Sequence, residues 1–152
     1  MPFRSSKTYL PEHGFSCCFR QWKAHSHCAQ LHGYALGIHL EFECDELDRN
    51  GWVVDFGSLK SLKGTFESTF DHKLLVAEDD PEIDNLLYLN DRKIADVLVL
   101  PAVGCEAFAQ MIYETTDIWL GDAGYKPRVR LHHVRVFEHD SNSASYYGEA
   151  GA

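Results

Sequence analysis

Apolar and polar side chains alternate from residue 32 to residue 44. The even positions carry His32, Tyr34, Leu36, Ile38, Leu40, Phe42 and Cys44, and the odd ones Gly33, Ala35, Gly37, His39, Glu41 and Glu43. A period of two predicts one long strand with a single buried face. Upstream, Phe15, Cys17 and Phe19 alternate with Ser16, Cys18 and Arg20 as a partner strand, so residues 21–31 become the long, polar, histidine-bearing loop of a hairpin. Beyond the turn Asp48–Gly51 the period lengthens: Leu59, Leu62, Phe66 and Phe70 recur at helical spacing behind the candidate caps Asp55 and Ser58. A second helix is expected from about Gly104 to Leu120, with Ala107, Phe108, Met111, Ile112, Ile118 and Trp119 on one stripe and Gly121 as its stop. Asp80-Pro81 opens a short helix carrying Ile83, Leu86 and Leu87, residues 96–100 read as a short strand, and alternation returns over 128–138 and 143–147. Hairpin-grouped strands with helices between them predict an α+β fold on an antiparallel sheet, because parallel crossovers would demand strict strand–helix alternation.

Composition narrows the class. Leu, Ile, Val and Phe make up about a quarter of the 152 residues, enough for a packed core. One domain is expected over 1–152, with a Gly/Ala/Glu-rich tail that frays after Tyr147. The longest apolar run, Val97 to Val103, is interrupted by Pro101, so no membrane span is expected. A polar N-terminus without an apolar signal core, together with five cysteines, an odd count, points to free thiols in the cytoplasm. A formal charge of −9 with scattered Lys and Arg argues against a nucleic-acid partner.

Nine histidines then matter, since imidazoles are the usual acid/bases and metal ligands near neutral pH. His13 and His133 are expected on the surface. The densest cluster is His25-Ser-His27-Cys28-Ala-Gln-Leu-His32, three imidazoles and a thiol within eight positions, suited either to soft-metal ligation or to a nucleophile with its base. Asp71-His72 is a second candidate, although adjacent residues on a strand would point apart. Glu138 ends the last long strand on the face of Val134 and Val136, facing either water or a donor-rich ligand.

Taken in order, Phe15-Ser16, Cys28-x-x-x-His32-Gly33, Gly51-Trp52-Val53-Val54-Asp55-Phe56, Asp71-His72, Glu106 and Val134-x-Val136-x-Glu138 resemble the 6-pyruvoyltetrahydropterin synthase and 6-carboxytetrahydropterin synthase family over residues 15–147. The resemblance implies a tunnelling fold: a four-stranded antiparallel sheet with two helices on one face, assembled into trimers or hexamers around a continuous β-barrel. It also implies active sites between subunits and 7,8-dihydroneopterin triphosphate as substrate. By the same resemblance Cys28 matches the catalytic thiol, Asp71 and His72 its acid/base partners, and Glu138 the carboxylate that grips the pterin ring, with Glu106 beside it. Arg20, and after it Lys23 and Lys73, are candidates for the phosphates, against the plainer reading of surface charges. Within the family the lyase branch that makes 6-carboxytetrahydropterin for 7-deazaguanine synthesis is preferred; the alternatives are a phosphate-eliminating synthase and a metal-free pterin binder.

The sequence departs from the family at its zinc site. Of three expected histidines only His32 remains; Phe19 and Tyr34 stand at the other two positions. Either zinc persists in a shell rebuilt from His32 and His27, with His25 and Cys17 nearby, or the metal is lost and the aromatic rings fill its place. Val103-Gly104-Cys105-Glu106 replaces a Pro-Thr-x-Glu pattern, removing a hydroxyl from the ring site.

Overall fold

A computed structural model describes residues 1–13 and 15–149, without the side chain of residue 13. The expected surface position of His13 and the tail beyond 149 lie outside the described residues. Among the described residues, eight strands and three α-helices form an α+β fold with two four-stranded sheets. The first sheet is antiparallel, in the order β1 (Phe3–Tyr9), β4 (Gly37–Cys44), β7 (Val129–His139), β8 (Asn142–Tyr147). Its inner face buries Tyr9, Ile38, Leu40, Phe42, Leu131, Val134 and Val136. On that face lie α1 (Lys60–Phe70), through Leu62 and Phe66, and α3 (Cys105–Asp122), through Phe108 and Ile112. Tyr9, Phe15 and Phe66 meet edge to face at 5.8–6.5 Å, the preferred geometry for aromatic quadrupoles. The outer face is polar, and there Glu43 accepts from Arg4 at 2.6 Å and from Arg130 at 2.8 Å.

The second sheet corrects the expectation of purely antiparallel pairing. It runs β3 (His32–Ala35), β2 (Ser16–Phe19), β5 (Lys73–Ala77), β6 (Val97–Leu100), and both β2–β5 and β5–β6 are parallel. The crossover from β5 to β6 is α2 (Ile83–Asp91), the short helix expected after Asp80-Pro81. A single βαβ unit has been inserted into a hairpin protein, so strict alternation along the whole chain is unnecessary.

The long strand expected over 32–44 is broken. Leu36 is fully buried and its N–H goes to the carbonyl of Phe15, which ends β3 beside β2 and starts β4 in the other sheet. Even-numbered side chains stay inward on both sides of the break, so periodicity alone does not reveal it. His133 is not at the surface: its ring stacks on Tyr147 at 4.9 Å and its Nδ1 lies 3.1 Å from Glu41. The chain past Tyr147 is still pinned where described, since the Gly148 N–H bonds the His132 carbonyl. All five cysteines are free thiols. No described helix is long and apolar enough to cross a membrane.

Candidate functional site

The loop between β2 and β3 presents Cys28 on a single 3₁₀ turn, residues His27–Ala29. Ser26 caps that turn by accepting from the Cys28 N–H at 3.3 Å, and the Cys28 carbonyl accepts from the Gln21 N–H at 2.8 Å. Arg20 fixes the loop from below. Its guanidinium donates to Asp80 through Nε at 2.8 Å and Nη2 at 2.6 Å, and through Nη1 to the Ala29 carbonyl at 3.0 Å. Asp80 is 3% exposed and also accepts from the Glu82 N–H, so one carboxylate ties the entrance of α2 to the Cys28 loop. The Arg20 pair holds the Asp80 carboxyl below the usual carboxylate range. Lys23 and Lys73 are likewise paired, with Asp79 at 3.4 Å and Asp96 at 2.5 Å. The three cations expected at a triphosphate therefore already neutralise aspartates within the chain.

Glu138 is set by a backbone irregularity. The β7–β8 register shifts between Phe137 and His139, so Glu138 is the extra residue of a bulge, the device that re-aims a side chain out of a regular ladder. Its carboxylate accepts from the Cys105 thiol at the start of α3. Burial, with the Glu138 and Glu106 carboxylates close by, pushes Cys105 up to about 12, so it remains a neutral donor. Tyr34 completes the group: burial, then the charges of Glu138, Cys28 and Cys105, push its phenol up. Gly104 (φ 113°) lets α3 begin here. A Cβ on it would stand 2.2 Å from Nε2 of Gln21, whose amide N–H donates to the Val103 carbonyl. Glu138, Cys28 and Cys105 thus all act on Tyr34, which pairs with Cys17 of β2. Sequence reading did not assign Gln21 to the site, placed Tyr34 there only at a lost zinc position, and met Cys105 only in the motif that loses a hydroxyl before Glu106.

Asp71 and His72 do meet each other. They sit not on a strand but in the turn after α1, where His72 adopts φ 57°, its Nδ1 2.9 Å from Asp71 Oδ1, with its side chain largely exposed. The Asp71 carboxylate also accepts from the Ser16 N–H, and the His72 N–H donates to the Ser16 carbonyl. Ser16 opens β2 and Phe19 closes it, so within one chain the imidazole–acid pair stands about 10 Å along the strand from the Cys28 end.

The zinc donor set does not fit. Phe19, 1% exposed, packs against His32 at 5.5 Å and Tyr34 at 5.8 Å, and His32 packs against Tyr34 at 5.3 Å. The Nδ1 of His32 already sits 2.7 Å from the Gln30 carbonyl. His27 is exposed on its turn, and among the described residues no three His, Cys, Asp or Glu side chains converge to hold an ion. The shell expected from His32 and His27 is therefore not assembled. An apolar cavity of about 360 Å³ lies elsewhere, walled by Phe3, Leu47, Trp52, Val53 and Phe56.

Comparison with known proteins places this geometry. The 6-pyruvoyl tetrahydropterin synthase family matches residues 10–149. A 6-carboxy-5,6,7,8-tetrahydropterin synthase of Aquifex aeolicus is 27% identical over 141 residues, covering 90% of this chain and 86% of that protein. An uncharacterized protein from Wolinella succinogenes shares the fold with a TM-score of 0.83 at 20% identity, over 98% of this chain and 99% of its own. A Plasmodium falciparum 6-pyruvoyl tetrahydropterin synthase does so at 0.70 and 18%, again over 98% and 99%.

Proposed function

Since this chain belongs to the 6-pyruvoyl tetrahydropterin synthase family, we propose that it is a pterin-processing lyase acting on 7,8-dihydroneopterin triphosphate, in the manner of the 6-carboxytetrahydropterin synthases among its relatives. The observation that supports this most is the setting of Glu138, turned out of the ladder by a bulge and accepting from the Cys105 thiol, with its charge and that of Cys28 both acting on Tyr34. In this reading Glu138, oriented by the Cys105 thiol, accepts from the 2-amino group and ring N–H of the pterin, a bidentate charge-assisted pair. Glu106, in the first turn of α3, lies alongside. Cys28 moves a proton at the ligand's side chain, and Asp71–His72 serves as the second acid/base couple, with the carboxylate fixing the imidazole's tautomer.

Because the couple and the thiol stand apart in one chain, the reading includes a homo-oligomer in which one copy's Asp71–His72 faces another's Cys28. The unpaired edges of β1 and β8 supply a motive for assembly, since an exposed edge is a liability that pairing removes. Arg20 contributes by positioning the Cys28 loop. Incubation with 7,8-dihydroneopterin triphosphate, followed by product analysis, is expected to yield 6-carboxytetrahydropterin, acetaldehyde and inorganic triphosphate; absence of the first two refutes the 6-carboxytetrahydropterin branch. The aromatic packing of Phe19 and Tyr34 around His32 favours one alternative, a metal-free pterin binder. For that protein a Cys28→Ala exchange would leave ligand affinity unchanged with no turnover to lose.

A further inference from the structure

The surroundings of Tyr34 and Cys105 are rich in acidic groups. Glu138 and Glu106 contribute carboxylates, the Cys105 thiol is turned to Glu138, and the Gln21 amide N–H is bonded to the Val103 carbonyl. Tyr34 is different. Its ring is held on three sides, by Phe19 at 5.8 Å, His32 at 5.3 Å and His139 at 6.5 Å, and its strand position is fixed by pairing with Cys17. Its hydroxyl lies within the field of Glu138, Cys28 and Cys105, and among the described residues it makes no hydrogen bond. A rigidly held hydroxyl on a partly buried ring, with no protein partner among the described residues, is open to a ligand atom.

We propose that Tyr34 donates its phenolic hydrogen bond to a side-chain oxygen of the bound pterin, the oxygen on the carbon from which Cys28 withdraws or to which it returns a proton. The assignment rests on the pterin reading of the site and extends it to the ligand's side chain. The phenol keeps its proton at neutral pH, because burial and the neighbouring acidic groups oppose its ionisation. Charge growing on the ligand oxygen would then meet a fixed O–H dipole in place of a metal ion, which the ring-filled donor positions do not accommodate. Glu138 selects the ring and Tyr34 selects the substituent.

Two probes separate these roles: neopterin, which carries hydroxyls on its side chain, and pterin, which has none. By titration calorimetry the Tyr34→Phe variant is expected to bind neopterin about tenfold more weakly than the natural chain and pterin equally well, as for one lost hydrogen bond. A Glu138→Ala variant is expected to weaken both probes. Chelation of the natural protein should leave neopterin affinity unchanged. Unaltered neopterin affinity in Tyr34→Phe, equal loss for both probes, or a loss of neopterin affinity on chelation each overturn the Tyr34 assignment while leaving the pterin reading intact. Failure of the natural protein to bind either probe overturns the pterin reading, and the Tyr34 assignment with it.

Discussion

The Arg20–Asp80 pair offers the sharpest perturbation. In an Asp80→Asn variant the shape of the side chain and the Glu82 N–H contact survive, but the guanidinium loses a bidentate carboxylate at 2.6 and 2.8 Å. Removing one partner of a buried ion pair costs about 3–5 kcal/mol because the other is left uncompensated. The Arg20 side chain is 19% exposed, however, so water recovers part of its solvation, and about 2–3 kcal/mol is expected. For a domain of this size that lowers Tm by roughly 5–10 °C. The pH dependence has a definite sign. The Asp80 carboxyl is depressed in the folded chain, so its contribution is complete above the unfolded value near 4 and is lost as pH falls through the lower folded one. Thermal unfolding followed by circular dichroism should therefore show the full gap between natural and variant chains at pH 7 and a shrinking gap below about pH 4. A Tm unchanged to within a degree at pH 7, or a gap that persists undiminished into acid, would refute the clamp.

Further expectations follow from the core and the site. Phe108 is fully buried against Phe19 and Phe70 at 5.3 Å each, and Phe108→Ala should cost about 3–5 kcal/mol in urea unfolding. Cys28→Ala should lower turnover by about a hundredfold or more with pterin affinity nearly unchanged, whereas Glu138→Gln should weaken affinity at least tenfold; kinetics and calorimetry on the same preparations separate the two. His39, its Nδ1 2.7 Å from the Thr8 hydroxyl, has a pKa lowered by burial and by its neighbours His133 and Arg135, against the pull of Glu41. The unfolded chain thus binds the extra proton, stability falls as pH drops below about 6.5, and His39→Gln should flatten that slope.

The elements legible in the sequence are those with one buried face. Helices α1 and α3 carry apolar stripes at helical spacing because each lies on the sheet by one side only, and β4 and β7 alternate for the same reason. Strand β1, Phe-Arg-Ser-Ser-Lys-Thr-Tyr, escaped notice because it is an edge strand whose Phe3 is half exposed, leaving little contrast between faces. Strand β5 is a short run buried on both faces, which periodicity cannot distinguish from a helix fragment. Within the site, Cys28 and Glu138 were visible as residue types in a familiar order, but the bulge that sets Glu138 and the Arg20 clamp beneath the Cys28 loop are both long-range facts. The meeting of Asp71 with His72 depends on a positive φ at His72 that nothing in the residue's chemistry announces.

The account stands on a thiol from one copy working with an imidazole–acid couple from another. Cys28→Ala and His72→Ala chains, each expected to be inactive toward 7,8-dihydroneopterin triphosphate, can be co-expressed with different tags and the doubly tagged assembly isolated. Substantial recovery of turnover in that mixed assembly is the predicted result, since some seams then pair an intact Cys28 with an intact His72. A mixed assembly as inactive as its parents, or a chain that stays monomeric while turning over substrate, would contradict it.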